Sequence, residues 1–153
     1  MIKTNQIKIG NTIYKITYDR EIITSDTLGQ ISATFEEIRL IDKFCNTELS
    51  DSKMYKVLLH EIIHGIDNIV FWNKESDEND EFECAIELFT EYIIDNIDRF
   101  VYGDISFEEF AGYCASTELQ MKRHQLFFDS ILRVIDDNQG LFSEYIELFG
   151  KGE

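Results

Sequence analysis

His60-Glu61-Ile62-Ile63-His64 places two imidazoles and a carboxylate within five residues. On a helix, positions i and i+4 share one face one turn apart, so both imidazoles can reach a single metal ion. Glu61, between them, projects beside the open coordination position, where it can take a proton from water. The chain has three histidines, and two of them fall in this pentapeptide. The pattern marks His60 and His64 as candidate ligands of Zn2+ and Glu61 as a candidate general base.

A zinc site of this kind needs a third protein ligand. His124, the remaining histidine, sits among charged neighbours in Lys122-Arg123-His124-Gln125 and reads as a helix-surface residue. A better source is the ridge Glu83, Glu87, Glu91, spaced i, i+4, i+8. Counting about 100° per residue from Phe82, the apolar stripe centres near 0–20°, with Glu83 near 100°, Glu87 near 140° and Glu91 near 180°. Glu83, at the margin of the buried stripe, is therefore the first candidate. Glu87 would orient a ligating histidine through its other ring nitrogen or serve as the alternative ligand. Glu91 reads as a solvent-facing charge and Cys84 as a small buried apolar residue. Asp67, three residues after His64, either hydrogen-bonds a ligand histidine or helps to end the helix.

The elements that must position these groups are an N-terminal sheet and a helical body, an α+β arrangement. Ile7-Lys8-Ile9, Thr12 to Tyr18, Leu28 to Phe35 and Glu37 to Ile41 alternate apolar and polar residues or are rich in β-branched ones, and Gly10-Asn11 is a turn signal. They predict three or four short antiparallel strands within residues 1–48. Ser50 or Ser52 caps a helix that carries the histidines and ends near Phe71. After a polar linker from Asn73 to Glu81, a second helix is expected from about Asp80 to Tyr102, with Phe82, Ile86, Phe89, Ile93 and Phe100 on one stripe. The metal-binding helices thus occupy residues 50–102. Residues 104–153 add further helices of unassigned role: a short one opened by the capping box Ser106-Phe107-Glu108-Glu109, a longer one opened at Thr117 and stopped near Asn138-Gln139-Gly140, and a tail from Leu141 to Phe149.

At 153 residues the chain is expected to be a single domain with its own core. No stretch approaches 18 uninterrupted apolar residues and no apolar leader opens the chain, so the expected location is the cytoplasm, away from membranes. Cys45, Cys84 and Cys114 form no C-x-x-C and read as reduced, mostly buried thiols. Proline is absent, a bias that fits coding in an AT-rich genome. Charge is uneven. Residues 1–60 hold eight Lys/Arg and eight Asp/Glu, whereas residues 61–153 hold six and twenty-two, which accounts for the net charge of −16. Such an acidic surface argues against direct nucleic-acid binding and leaves a basic protein partner as the sharper alternative to simple solvation.

The stretch Leu58-Leu59-His60-Glu61-Ile62-Ile63-His64-Gly65-Ile66-Asp67, preceded by the strand Glu37 to Ile41 and followed by Glu83-Cys84-Ala85-Ile86-Glu87-Leu88-Phe89-Thr90, resembles the ImmA/IrrE-like small metallopeptidases of phages and mobile elements, minimal relatives of the gluzincins. In that family the second helix carries E-x-x-A-N-x-F-A, whose leading Glu is the third zinc ligand and falls on Glu83. Ile86 and Glu87 stand where the pattern has Ala and Asn. The likeness covers roughly residues 5–100. It implies a zinc-dependent peptidase acting on a protein or peptide, such as a repressor or host factor. Tyr92, Tyr113 and His124 are the candidate oxyanion donors. Two other readings stay open. One is a non-catalytic, zinc-stabilised binding protein whose site is closed by a fourth ligand from the tail. The other is an acidic, phage-type inhibitor that occupies the basic groove of a nucleic-acid-binding host protein.

Overall fold

A computed structural model describes residues 2–19, 28–44, 47–70, 80–116 and 124–151. The architecture is α+β. The strands β1 (Gln6–Ile9), β2 (Thr12–Asp19), β3 (Gly29–Ser32) and β4 (Glu37–Ile41) form one sheet in the order β1-β2-β4-β3. A small hairpin of β5 (Lys43–Phe44) and β6 (Thr47–Glu48) follows. The sheet is mixed rather than purely antiparallel, because β2 and β4 run parallel, with Lys15 opposite Glu37 and Asp19 opposite Ile41. Alternation dictates which residues share a face, but it carries no information on strand direction. The third strand is also shorter than expected. Residues 33–36 form a turn in which Glu36 adopts φ 52° and Ser32 Oγ accepts the Phe35 N–H at 3.2 Å.

The helix α1 (Asp51–Val70) is the centre of the molecule. Ser50 caps it, its Oγ accepting the Lys53 N–H at 3.2 Å. It packs against β1, β3 and β4 and also against the later helices α2 (Asp80–Asp95), α5 (His124–Asp137) and α6 (Gln139–Phe149). Leu58, Leu59, Ile62, Ile63 and Ile66 are buried around its circumference, as expected of a helix enclosed by its neighbours. Gly65 lets α1 lie close to the sheet, since a Cβ there would sit 2.9 Å from Ile31 Cδ1 and 3.0 Å from Ile9 Cδ1.

The expected helix from Asp80 to Tyr102 is two helices, α2 and α3 (Ile97–Tyr102). The break falls at Asn96, whose Nδ2 donates to the Tyr92 carbonyl at 2.9 Å, a local side-chain bond that competes with helix continuation. Ile86, Phe89, Ile93 and Phe100 are buried as the stripe requires; the Phe82 side chain, Phe71 and most of the Asn73–Glu81 linker lie outside the described residues. Only half of the capping box forms at α4 (Phe107–Ser116). Ser106 Oγ accepts the Glu109 N–H at 3.2 Å, but the Glu109 carboxylate turns to Arg99 at 2.5 Å. The proposed opening of the next helix at Thr117 lies outside the described residues. Its stop falls where expected, α5 ending at Asp137 before Asn138, but the tail helix opens at Gln139 rather than Leu141.

Asn138, between α5 and α6, seals one edge of the sheet. Its Oδ1 accepts the Lys8 N–H at 2.8 Å and its Nδ2 donates to the Lys8 carbonyl at 2.8 Å, reproducing a strand partner for β1. Glu144 of α6 ties the N-terminal segment to α1. It accepts the Lys3 N–H at 2.9 Å and the hydroxyls of Thr4 and Tyr55. Burial acts to raise the Glu144 carboxyl, but these donors outweigh it and hold the group below its ordinary value. The stability it supplies is therefore complete above the ordinary value of 4.5 and is lost as pH falls through the lower folded-state value. Glu144→Ala is expected to cost about 1–2 kcal/mol in urea unfolding at neutral pH, discounted for partial exposure, and to flatten the loss of stability on acidification.

Candidate metal centre

Two helical ridges meet in antiparallel order. Lys56, His60 and His64 on α1 face Glu91, Glu87 and Glu83 on α2, each pair one turn from the next. Glu83 spans both histidines, with Oε1 2.8 Å from His64 Nε2 and Oε2 3.1 Å from His60 Nε2. The two Nε2 atoms are 3.2 Å apart. One donor atom from each of His60, His64 and Glu83 lies within 4.8 Å of the others, the span of a single metal ion's ligand shell. His64 is buried and His60 nearly so, while Glu83 is 42% exposed at the mouth.

Glu87 takes the position read for it from the helical angles. Its Oε1 lies 2.6 Å from His60 Nδ1. With its proton on Nδ1, His60 keeps the Nε2 lone pair, the tautomer that binds metal, although the close Glu87 contact lacks the alignment of a hydrogen bond. That lone pair and the Glu83 oxygen at 3.1 Å are then two acceptors facing each other. In that tautomer a cation between them, a metal ion or a proton, makes the contact favourable; in the other, the Nε2–H itself faces Glu83. Burial lowers the His60 pKa, but the Glu87 contact and the charges of Glu61, Glu87 and Glu83 outweigh it and hold the imidazole above its ordinary value. The Glu87 carboxyl is correspondingly lowered, first by its bond to His60. Proton and metal therefore compete for one site. The donor set, two imidazole nitrogens and a carboxylate with an orienting carboxylate behind one imidazole, suits zinc.

The centre opens into a cleft of about 610 Å³ whose other wall is β3. Glu61 lines this cleft and is 7% exposed. Gly29 on β3 makes room for it, because a Cβ there would lie 2.7 Å from Val57 Cγ1 and 3.3 Å from Glu61 Cγ. β3 is also an edge strand. Leu28 O accepts the Ile41 N–H at 3.1 Å, so alternation turns the N–H and C=O of Gly29 and Ile31 away from β4. Among the described residues no strand pairs with that outer edge.

Several other expectations are corrected. Tyr92 and Tyr113 stack on each other at 3.9 Å, and the Tyr113 hydroxyl donates to the Leu88 carbonyl at 3.1 Å, on a face away from the cleft. His124 opens α5 and joins neither the ligand group nor the cleft lining. Besides the histidines and Gln30 of β3, the polar donors lining the cleft are Lys53, Lys56 and Asn68 of α1. They were legible as members of the α1 face that carries His60 and His64 at intervals of three and four residues. Glu91 faces solvent as expected, and it also approaches Lys56 at 3.7 Å. Cys84 is exposed rather than buried, Cys114 is buried, and Cys45 lies outside the described residues. Asp67 is fully buried within α1, which continues to Val70, so it does not end the helix.

No protein-family model, curated protein or solved structure matches the chain.

Alanine at His60, His64 or Glu83 is expected to abolish uptake of one zinc per chain in titration calorimetry, while Glu87→Ala weakens it about 10–100-fold. Gly29→Ala is expected to lower stability by about 1–3 kcal/mol in denaturant unfolding through the clash with Val57, leaving zinc stoichiometry unchanged.

Proposed function

We propose that this protein is a zinc-dependent peptidase of the ImmA/IrrE-like type, acting on a protein or peptide in the cytoplasm. The observation that carries this reading is the convergence of His60, His64 and Glu83 beside a buried Glu61, in a cleft walled by an open strand edge. His60, His64 and Glu83 would hold the ion. When bound, zinc supplies Lewis acidity toward a scissile carbonyl and lowers the pKa of water toward ~7.

The chain's own groups supply the rest. The outward N–H and C=O of Gly29 and Ile31 hold an extended peptide by adding it to the sheet, which favours a polypeptide over a compact small molecule. Glu61, at the inner end of the cleft, accepts the proton of the attacking water and returns it to the leaving amine. Its burial keeps that carboxylate from being fully solvated. Asn68 and Gln30 are neutral amide side chains lining the cleft from which a donor for the developing oxyanion would come. No helix among the described residues is long and apolar enough to cross a membrane.

Glu61→Gln is expected to retain zinc by elemental analysis and to lose about 10²–10⁴-fold in peptide hydrolysis. Full turnover in that variant would sink the mechanism. A zinc-loaded wild-type protein that cuts no peptide would favour the zinc-stabilised binding protein instead.

A further inference from the structure

The cleft has a direction, and its two ends differ chemically. Gly29 lies against Val57 and Glu61, and Ile31 lies against Gly65, so β3 and α1 run the same way along the cleft. A peptide added to β3 in the antiparallel sense, the more stable pairing, then runs opposite to both. Its N-terminal portion lies toward Ile31 and Asn68, and its C-terminal portion toward Leu28, Lys56 and Lys53.

Lys56 and Lys53 stand four and seven residues before His60 on α1. At 1.5 Å rise per residue they are about 6 and 10 Å from the metal ligand along the helix. An extended chain advances about 3.3 Å per residue, so these ammonium groups meet the second and third residues beyond the bond under attack. Both line the cleft, in a protein whose net charge is −16. Lys56 is only loosely held by Glu91, at 3.7 Å, and Lys53 is exposed. Glu87 is already engaged by His60 at 2.6 Å. The lysine end is thus the part of the cleft able to accept a further anion.

Resting on the peptidase reading, we infer that the cleft selects a carboxylate on the C-terminal side of the scissile bond, held by Lys53 and Lys56. The carboxylate belongs either to an Asp or Glu side chain at the second or third position after the cut, or to the end of the peptide chain. The two ammonium groups also give an acidic substrate a landing point on a surface that otherwise repels it.

The test digests two random peptide libraries, one C-terminally amidated and one with free carboxylates, with the zinc-loaded full-length protein. Cut sites are mapped by mass spectrometry. Asp and Glu are expected to be enriched about fivefold to tenfold at the second and third positions after the cut, with the enrichment shrinking as ionic strength rises. Preference seen only in the free-acid library, for cuts near the chain end, assigns the lysines to the terminal carboxylate. The Lys53→Glu/Lys56→Glu double variant should shift the preference to Lys and Arg. That ratio is internal to each protein and is unaffected by a loss of folded material. Binding of fluorescent Glu-rich and Lys-rich peptides to the Glu61→Gln protein reads the same preference without turnover. Cleavage or binding that ignores charge in both libraries overturns the lysine assignment and leaves the peptidase reading standing. No peptide cut and none bound overturns both.

Discussion

A helix that carries Glu61, His64 and Asp67 on surfaces withdrawn from water must compensate a desolvation cost of several kcal/mol per charge. The rest of the structure follows from how α1 is enclosed. The sheet supplies one side, approached closely at Gly65, and α5 and α6 pack on another, where the Tyr145 ring meets Tyr55 edge-on at 5.2 Å. α2 brings carboxylates to the histidines, in step with them. Glu83 reaches both imidazoles and Glu87 lies against the other ring nitrogen of His60, so the three groups could hold a cation.

The sheet treats its two edges differently, and the difference agrees with the proposed role of the cleft. At β1 the amide of Asn138 satisfies Lys8 in both directions, so this edge offers no template for another strand. At β3 the outward groups of Gly29 and Ile31 lie beside the metal centre. Among the described residues the β3 edge is unpaired on the side of His60, His64 and Glu83, while Asn138 covers Lys8 on the other edge.

The acidity of the chain and the lysines of the cleft belong to one electrostatic pattern. Residues 61–153 carry twenty-two Asp/Glu against six Lys/Arg, whereas Lys53 and Lys56 come from the balanced first sixty residues. Folding brings the two sets together across the α1–α2 interface. Glu83, Glu87 and Glu91 read as a solvated acidic face when taken alone. Opposite His64, His60 and Lys56 they become three distinct groups: a bridging carboxylate, a ring-orienting carboxylate and a weak ion pair.

Much of the fold and of the site was legible because helical geometry is local. The i, i+4 spacing of His60 and His64 fixes their common face, and the angular position of Glu83 at the margin of the apolar stripe places it toward a neighbouring helix. The α+β division likewise follows from the change of apolar period near residue 50. What was not legible depends on contacts between distant segments. The parallel pairing of β2 with β4 requires β3 to take the edge, which alternation does not encode. The helix break at Asn96, the withdrawal of Glu109 from its capping box toward Arg99 and the placement of Tyr92 and Tyr113 away from the cleft are side-chain choices settled by neighbours. The role of Gly29 depends on α1 lying against β3. The sequence by itself determined the residue types, their periods and the faces they occupy, because these are properties of a single element. Tertiary structure alone decided the antiparallel register of α1 against α2 and the open edge above Glu61, because both arise only when separate elements pack.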